Sequence, residues 1–257
     1  MKKFLMNYEN PWVASNCLSL LNIVTTIVAN LKKTSMSVSF SIWPMAFSVS
    51  MMATWMVMWV RDSTRESIIE NNDSKLHNNK MAMLLFLLTE AFFFLSFFWM
   101  FTSTVLVPEL SFWPPSNLTL PSFIGAPSLN TILLVASSAT VTLSIHEKQL
   151  KHSLSFVWLI TTLLLSTLFL AIQYLEYSAL TFNFTSGVGG SIFFMATGFH
   201  GSHVILGTLI LLTCTCLMHV NFYTNSSMLS FELAAWYWHF VDAIWLMLYT
   251  IFYCWGH

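Results

Sequence analysis

Charge is what this 257-residue chain has least of. Asp, Glu, Lys and Arg make up 8% of it, against about a quarter of an ordinary soluble domain, while 56% of its residues are hydrophobic. So few charges cannot clothe a water-facing surface, which excludes a soluble globular domain. Neither sign is in excess, with 10 basic and 11 acidic residues and a formal net charge of −1, so nothing favours nucleic acid or an acidic substrate. The four cysteines, Cys17, Cys214, Cys216 and Cys254, lie in or beside apolar runs with no CxxC pair, which argues against a disulfide or metal framework. No phosphate loop, zinc-ligand spacing or dinucleotide fingerprint occurs. The start of the chain also lacks the order of a cleaved signal peptide, because Lys2 and Lys3 are followed by Asn7, Glu9, Asn10 and Pro11 rather than by an apolar core.

What the chain does have is long apolar runs. Seven are long enough to cross a bilayer as helices, at about 12–31, 38–60, 81–106, 128–146, 153–180, 187–218 and 232–255. None alternates polar and apolar residues as barrel strands do, so the chain reads as an all-α membrane protein with one transmembrane domain over 1–257. The stretch 61–80 is the one strongly charged connection. Residues 107–127 hold Pro108, Pro114, Pro115, Pro121 and Pro127, which stop a helix from continuing. With seven spans, the N-terminal side carries Lys2, Lys3, Arg61, Arg65, Lys75, Lys80, Lys148 and Lys151, and the opposite side only Lys32 and Lys33. The positive-inside rule then puts the N-terminus on the inner face and the C-terminus across the membrane.

Four groups of residues could carry chemistry, and each also has a structural reading. Glu90 lies in the most hydrophobic run, about nine residues or roughly 14 Å of helix from its start, near mid-membrane. Phe92, Phe93, Phe94, Phe97 and Phe98 on neighbouring turns disfavour a charge there. It is either a proton-handling carboxyl or a protonated acid hydrogen-bonded to another helix. His200 and His203, three apart in Ala196-Thr-Gly-Phe-His-Gly-Ser-His203, share one helix face. They suit a metal or haem, or hydrogen bonds between helices with Gly198, Ser202 and Gly207 admitting a close neighbour, and the second reading is preferred.

His239 and Asp242 lie one turn apart on the last span, where Trp238, Asp242, Trp245 and Tyr249 form a stripe. The pair resembles part of a catalytic triad but has no nucleophile, so a polar knot joining helices is the preferred reading. Arg61 and Arg65, one turn apart beside Trp59 at the inner interface, suit an anionic lipid phosphate. Alternatively Arg61, Asp62, Arg65 and Glu66 pair among themselves. No catalytic residue and no metal site is expected on these grounds.

Several of these motifs, in order along the chain, resemble subunit III of the haem–copper cytochrome c oxidases. They are Arg61-Asp-x-x-Arg-Glu-Ser67, Glu90 followed by aromatic residues, Pro108-Glu-Leu, Trp113-Pro-Pro, Leu129-Asn-Thr131, Gln173-x-x-Glu-Tyr177, Ala196-Thr-Gly-Phe-His-Gly-x-His203 and Phe231-Glu-x-Ala-Ala-Trp-Tyr-Trp-His-Phe-Val-Asp242. The resemblance implies two N-terminal helices splayed from a five-helix bundle around a cleft filled with phospholipid. It implies no haem or copper on this chain, both being held by partner subunits. It implies packing against subunit I among the other subunits of respiratory complex IV, no nucleic-acid partner, and a place in the mitochondrial inner membrane with the N-terminus in the matrix and the C-terminus in the intermembrane space. Glu90 matches that family's buried third-helix carboxyl, and Trp59, Arg65 and Glu66 its lipid-contacting region. The chain departs from the pattern at Asn71, Asn72 and Asp73, at Leu143-Ser-Ile-His146, at Ala179, and in the neutral stretch 220–230. A stand-alone proton-coupled transporter using Glu90 and Asp242 is the alternative.

Overall fold

The computed structural model describes residues 11–35, 43–69, 73–106, 119–223 and 228–255, with the side chains of 31–35, 66–69, 73–75 and 105 left aside. Among them are seven α-helices and no strand. They are α1 (Pro11–Ser35), α2 (Trp43–Ile69), α3 (Asp73–Ser103), α4 (Ala126–Gln149), α5 (Ser155–Ala179), α6 (Val188–His219) and α7 (Leu229–Leu248). A tight turn of 3-10 helix, Thr104–Leu106, ends α3, and a widened π-helical turn, Tyr249–Cys254, continues α7. Six of the seven are long and apolar enough to cross a membrane. The exception is α7, where Glu232, His239, Asp242 and three tryptophans dilute the aliphatic residues.

The expected spans fall on these helices, with one correction. The charged stretch 61–80 is mostly helical where it is described: 61–69 continue α2 and 73–80 open α3. Hydropathy marks where a helix leaves hydrocarbon, and helical hydrogen bonding does not stop at that boundary. Of the prolines in 107–127, Pro108, Pro114 and Pro115 lie outside the described residues. Pro127 stands in the first turn of α4, where its missing N–H costs nothing.

The chain divides into two compact units, 1–71 and 72–257. In the first, α1 and α2 pack together through small polar side chains: Ser19, Asn30 and Ser48 are buried, while Leu18, Leu21, Val28, Phe47 and Val57 face outwards. That inversion suits lipid, where close backbone approach and not hydrophobic burial drives association.

The second unit is a bundle of α3 to α7. Its core is aromatic, with Phe94, Phe101, Phe169, Phe193, Phe252, Trp238, Trp245 and Tyr253 all fully buried. Phe101 and Phe252 approach to 4.2 Å between ring centres, and Phe169 meets Trp245 edge-on at 4.9 Å. The closest packing is between α4 and α5. Ser144 Oγ donates to the Ser155 carbonyl and Ser155 Oγ to the Ser144 carbonyl, both at 2.7 Å, and the Thr140 and Thr162 hydroxyls meet at 2.8 Å.

The three small residues expected to admit a neighbour to α6 behave differently. Only Gly207 does so: a Cβ there would lie 2.8 and 2.9 Å from two ring carbons of Trp238. Gly198 has open space beside it, and the exposed Ser202 bonds back to the Phe199 carbonyl of its own helix. A glycine is required where a large ring must lie flat on the helix backbone, and Trp238 supplies the ring. Gly207→Ala is therefore expected to destabilise the protein by about 1–3 kcal/mol through overpacking. Gly201→Ala meets nothing within 4 Å and is expected to be neutral or stabilising by up to about 1 kcal/mol. Thermal unfolding of the detergent-purified variants measures both.

Candidate functional site

Glu90 and His203 face each other between α3 and α6. His203 Nε2 lies 3.1 Å from Glu90 Oε2, and its Nδ1 lies 2.8 Å from the Phe199 carbonyl one turn back on the same helix. The carbonyl can only accept, so Nδ1 carries a hydrogen and donates it. The hydrogen bond across the helices then holds one proton between Oε2 and Nε2. Either a neutral acid donates to a neutral imidazole, or a carboxylate accepts from an imidazolium. Both arrangements satisfy the geometry, and neither leaves a buried charge alone.

Aromatic rings enclose the pair. Phe94 meets the His203 ring edge-on at 5.4 Å, Phe199 at 4.7 Å, and Tyr237 stacks on it at 6.3 Å. The His203 side chain is 8% exposed and that of Glu90 20%. At the rim of the bundle, Lys80 Nζ and Glu232 Oε2 make a half-exposed ion pair between α3 and α7 at 3.5 Å.

His200 behaves unlike His203. It is buried, neither ring nitrogen has a hydrogen-bond partner, and it packs among Phe169, Phe94 and Trp245 at 5.9, 6.5 and 5.2 Å between ring centres. The expected interhelical polar contact is therefore made by one histidine of the two. Three residues of spacing put both on the same side of α6, but α3 presents a carboxylate to one and α5 and α7 present rings to the other. No group of three His, Cys, Asp or Glu residues able to hold a metal occurs among the described residues.

The stripe on α7 is a register of contacts to α4 and the turn before it. Trp238 Nε1 donates to Ser137 Oγ at 2.9 Å, Trp245 Nε1 to Thr131 Oγ1 at 3.1 Å, and the Tyr249 hydroxyl to the Phe123 carbonyl at 3.2 Å. The donors ascend α7 as the acceptors descend towards α4's start, as antiparallel helices require. Asp242 lies on the same stripe, but it makes no such rung: its Oδ1 and the Ser138 Oγ on α4 are both buried without a hydrogen bond. Glu90 and Asp242, the two acids of the transporter alternative, thus turn to different helices.

In the first unit, Asp62 is a junction. Trp12 Nε1 donates to its Oδ2 at 2.7 Å, Arg61 Nε reaches its Oδ1 at 2.8 Å, and the Trp12 ring stacks on Trp55 at 5.5 Å. Arg61 therefore pairs with its neighbour; both it and Arg65, one turn on, are exposed, and Trp59 is half-buried. The Glu66 side chain lies outside the described residues.

Reading the sequence alone missed a second acid. Glu176 on α5 is 5% exposed and accepts a hydrogen bond from the Tyr253 hydroxyl at 2.6 Å. Its signal was present in Gln173-x-x-Glu176-Tyr177, polar residues near the end of an apolar span.

The model of the family described as cytochrome c oxidase subunit III matches residues 2–257. Among relatives, the cytochrome c oxidase subunit 3 of Struthio camelus is 42% identical over 212 residues, 78% of this chain and 79% of the relative. That of Locusta migratoria is 41% identical over 207 residues, 78% and 79% respectively. That of Myxine glutinosa is 35% identical over 262 residues, 100% of this chain and 98% of the relative.

The two histidines separate under substitution. His203→Leu strands the Glu90 carboxyl and is expected to cost about 1–3 kcal/mol. His200→Leu removes no hydrogen bond and is expected to change stability by less than about 1 kcal/mol. Thermal unfolding of the two single variants side by side measures the difference.

Proposed function

The chain belongs to the cytochrome c oxidase subunit III family, and from that premise we propose that it is a non-catalytic membrane subunit of respiratory complex IV. The observation that carries this reading is the extent of the family match, from residue 2 to residue 257. The electrons pass from cytochrome c to oxygen through haem and copper held by partner subunits. This chain stabilises the catalytic subunit, subunit I, binds structural phospholipid and sustains proton uptake. The chain crosses the mitochondrial inner membrane several times, with the N-terminus in the matrix and the C-terminus in the intermembrane space. The distribution of Lys and Arg supports that orientation; the Lys80–Glu232 pair brings the starts of α3 and α7 to one end of the bundle.

The Glu90–His203 pair is the residue-level support for a proton-related role. It holds a proton that can sit on either partner without either leaving the other's reach. His203 has both nitrogens engaged, by Phe199 and Glu90. Trp59, Arg61, Arg65 and Glu66 are assigned to the phospholipid contact, with the exposed cations Arg61 and Arg65 at the level where an interfacial tryptophan and a lipid phosphate meet.

Mass spectrometry of the native complex, purified through a tag on this chain, tests the assignment: co-recovery of the haem–copper core subunit is expected, and recovery without it overturns the reading. In Glu90→Gln the amide N–H takes over the hydrogen bond to His203 Nε2, so assembly is expected to survive. Its loss would make the carboxyl itself a structural requirement. Arg65→Ala is expected to reduce the anionic phospholipid that stays bound in native mass spectra while leaving the subunit composition unchanged.

A further inference from the structure

Near the start of α4 and the ends of α5 and α7, four polar side chains meet in a region that the oxidase assignment leaves unused. Asn130 comes from the first turns of α4, Gln173 and Glu176 from one face of α5, and Tyr253 from the widened turn after α7. Asn130 is 0% exposed, Gln173 6%, Glu176 5% and Tyr253 0%. Asn130 Nδ2 donates to Gln173 Oε1 at 3.1 Å, and the Tyr253 hydroxyl donates to Glu176 Oε1 at 2.6 Å. Gln173 and Glu176 lie three residues apart on α5 and share one helix face, so the two hydrogen-bonded pairs stand side by side.

Each of the three residues from α4 and α5 has one hydrogen-bonding atom left over. Asn130 Oδ1, Gln173 Nε2 and Glu176 Oε2 are buried without a partner. Buried polar atoms are rarely left so, because each forfeits its bonds to water. With Glu176 as a carboxylate, two are acceptors and one is a donor; as a neutral acid its Oε2–H donates, and a water can meet either arrangement.

We propose that this cluster is a binding site for a single ordered water molecule, donating to Asn130 Oδ1 and Glu176 Oε2 and accepting from Gln173 Nε2. A water has two O–H donors and lone pairs to spare, and buried waters typically make about three hydrogen bonds. The match does not depend on how the amides are assigned. Turning both over would leave Asn130 Nδ2 as the donor and Gln173 Oε1 as an acceptor, again two acceptors and one donor. A metal cation would need oxygens on every side, and one amide group always offers it N–H. The bound water ties α4 to α5 and, through Glu176 and Tyr253, to the end of α7. It also gives Glu176 Oε2 a hydrogen-bond partner.

A map of the purified oxidase complex at a resolution that shows ordered water tests the site directly. The expected result is one spherical feature within about 2.7–3.2 Å of the three atoms, lost in the Glu176→Met complex. No feature, density continuous with a lipid headgroup or with a side chain of another subunit, or an anomalous signal from a metal would each overturn the proposal. If Glu176→Met fails to assemble, the map of the unaltered complex decides alone. The site lies wholly within this chain, so its failure is distinguishable from failure of the oxidase assignment, which rests on which subunits are recovered.

Discussion

Hydrocarbon offers no hydrogen bonds, and the arrangement of α3 to α7 follows from that constraint. In water a misplaced serine or tryptophan finds a partner in solvent; in lipid it must find one within the protein, on its own helix as Ser202 does or on another. The bundle therefore has its helices joined at defined heights by paired polar groups: Ser144 with Ser155 and Thr140 with Thr162 between α4 and α5, Trp238 with Ser137 and Trp245 with Thr131 between α7 and α4, and Glu90 with His203 between α3 and α6. Apolar packing is permissive about sliding, since one leucine against lipid resembles another. The hydrogen bonds remove that freedom, because a shift of one helical turn would break several at once. Gly207 serves the same end by sterics, letting Trp238 lie close enough to α6 while its indole N–H reaches Ser137 on α4.

The number of helices and their apolar stretches were legible in the sequence because the length of an apolar run is a direct record of membrane thickness. The ends were less so: α3 begins at Asp73, eight residues before its apolar run at Met81, since polar residues can extend a helix into water without any hydropathy signal. The stripe Trp238, Asp242, Trp245, Tyr249 was legible as a stripe, from helical spacing alone. That it faces α4 was not, because spacing defines a face and says nothing of which neighbour occupies it. The same limit explains the histidines. Equal spacing made His200 and His203 look like a pair, and only the arrival of Glu90 from α3, 113 residues away in the chain, distinguishes them. Glu176 was present in a quoted motif, but its burial depends on Tyr253 folding back from the far end of the chain.

The two acids also show how one residue type is accommodated differently. Glu90 is met by a base, so proton and charge can be shared. Glu176 is met by a phenol and lies beside amides, groups that donate and accept but do not exchange a proton readily near neutral pH. The first arrangement is suited to proton equilibria and the second to fixing geometry. Partner chemistry, more than depth, separates the roles open to two buried carboxyls in one bundle.

Along α6 the groups linked to these acids come in sequence: Thr197, bonded to Tyr177 next to Glu176, then His200, then His203. The middle residue is the one whose nitrogens bond to nothing, set among Phe169, Phe94 and Trp245. A hydrogen-bonded route between the two acids would have to pass this aromatic layer, and the side chains there provide no step across it. The Glu90–His203 pair and the Glu176–Tyr253 pair are therefore separate hydrogen-bonded units, the first reaching the partly exposed carboxyl of α3 and the second closed within the bundle, where it helps hold the helices in register.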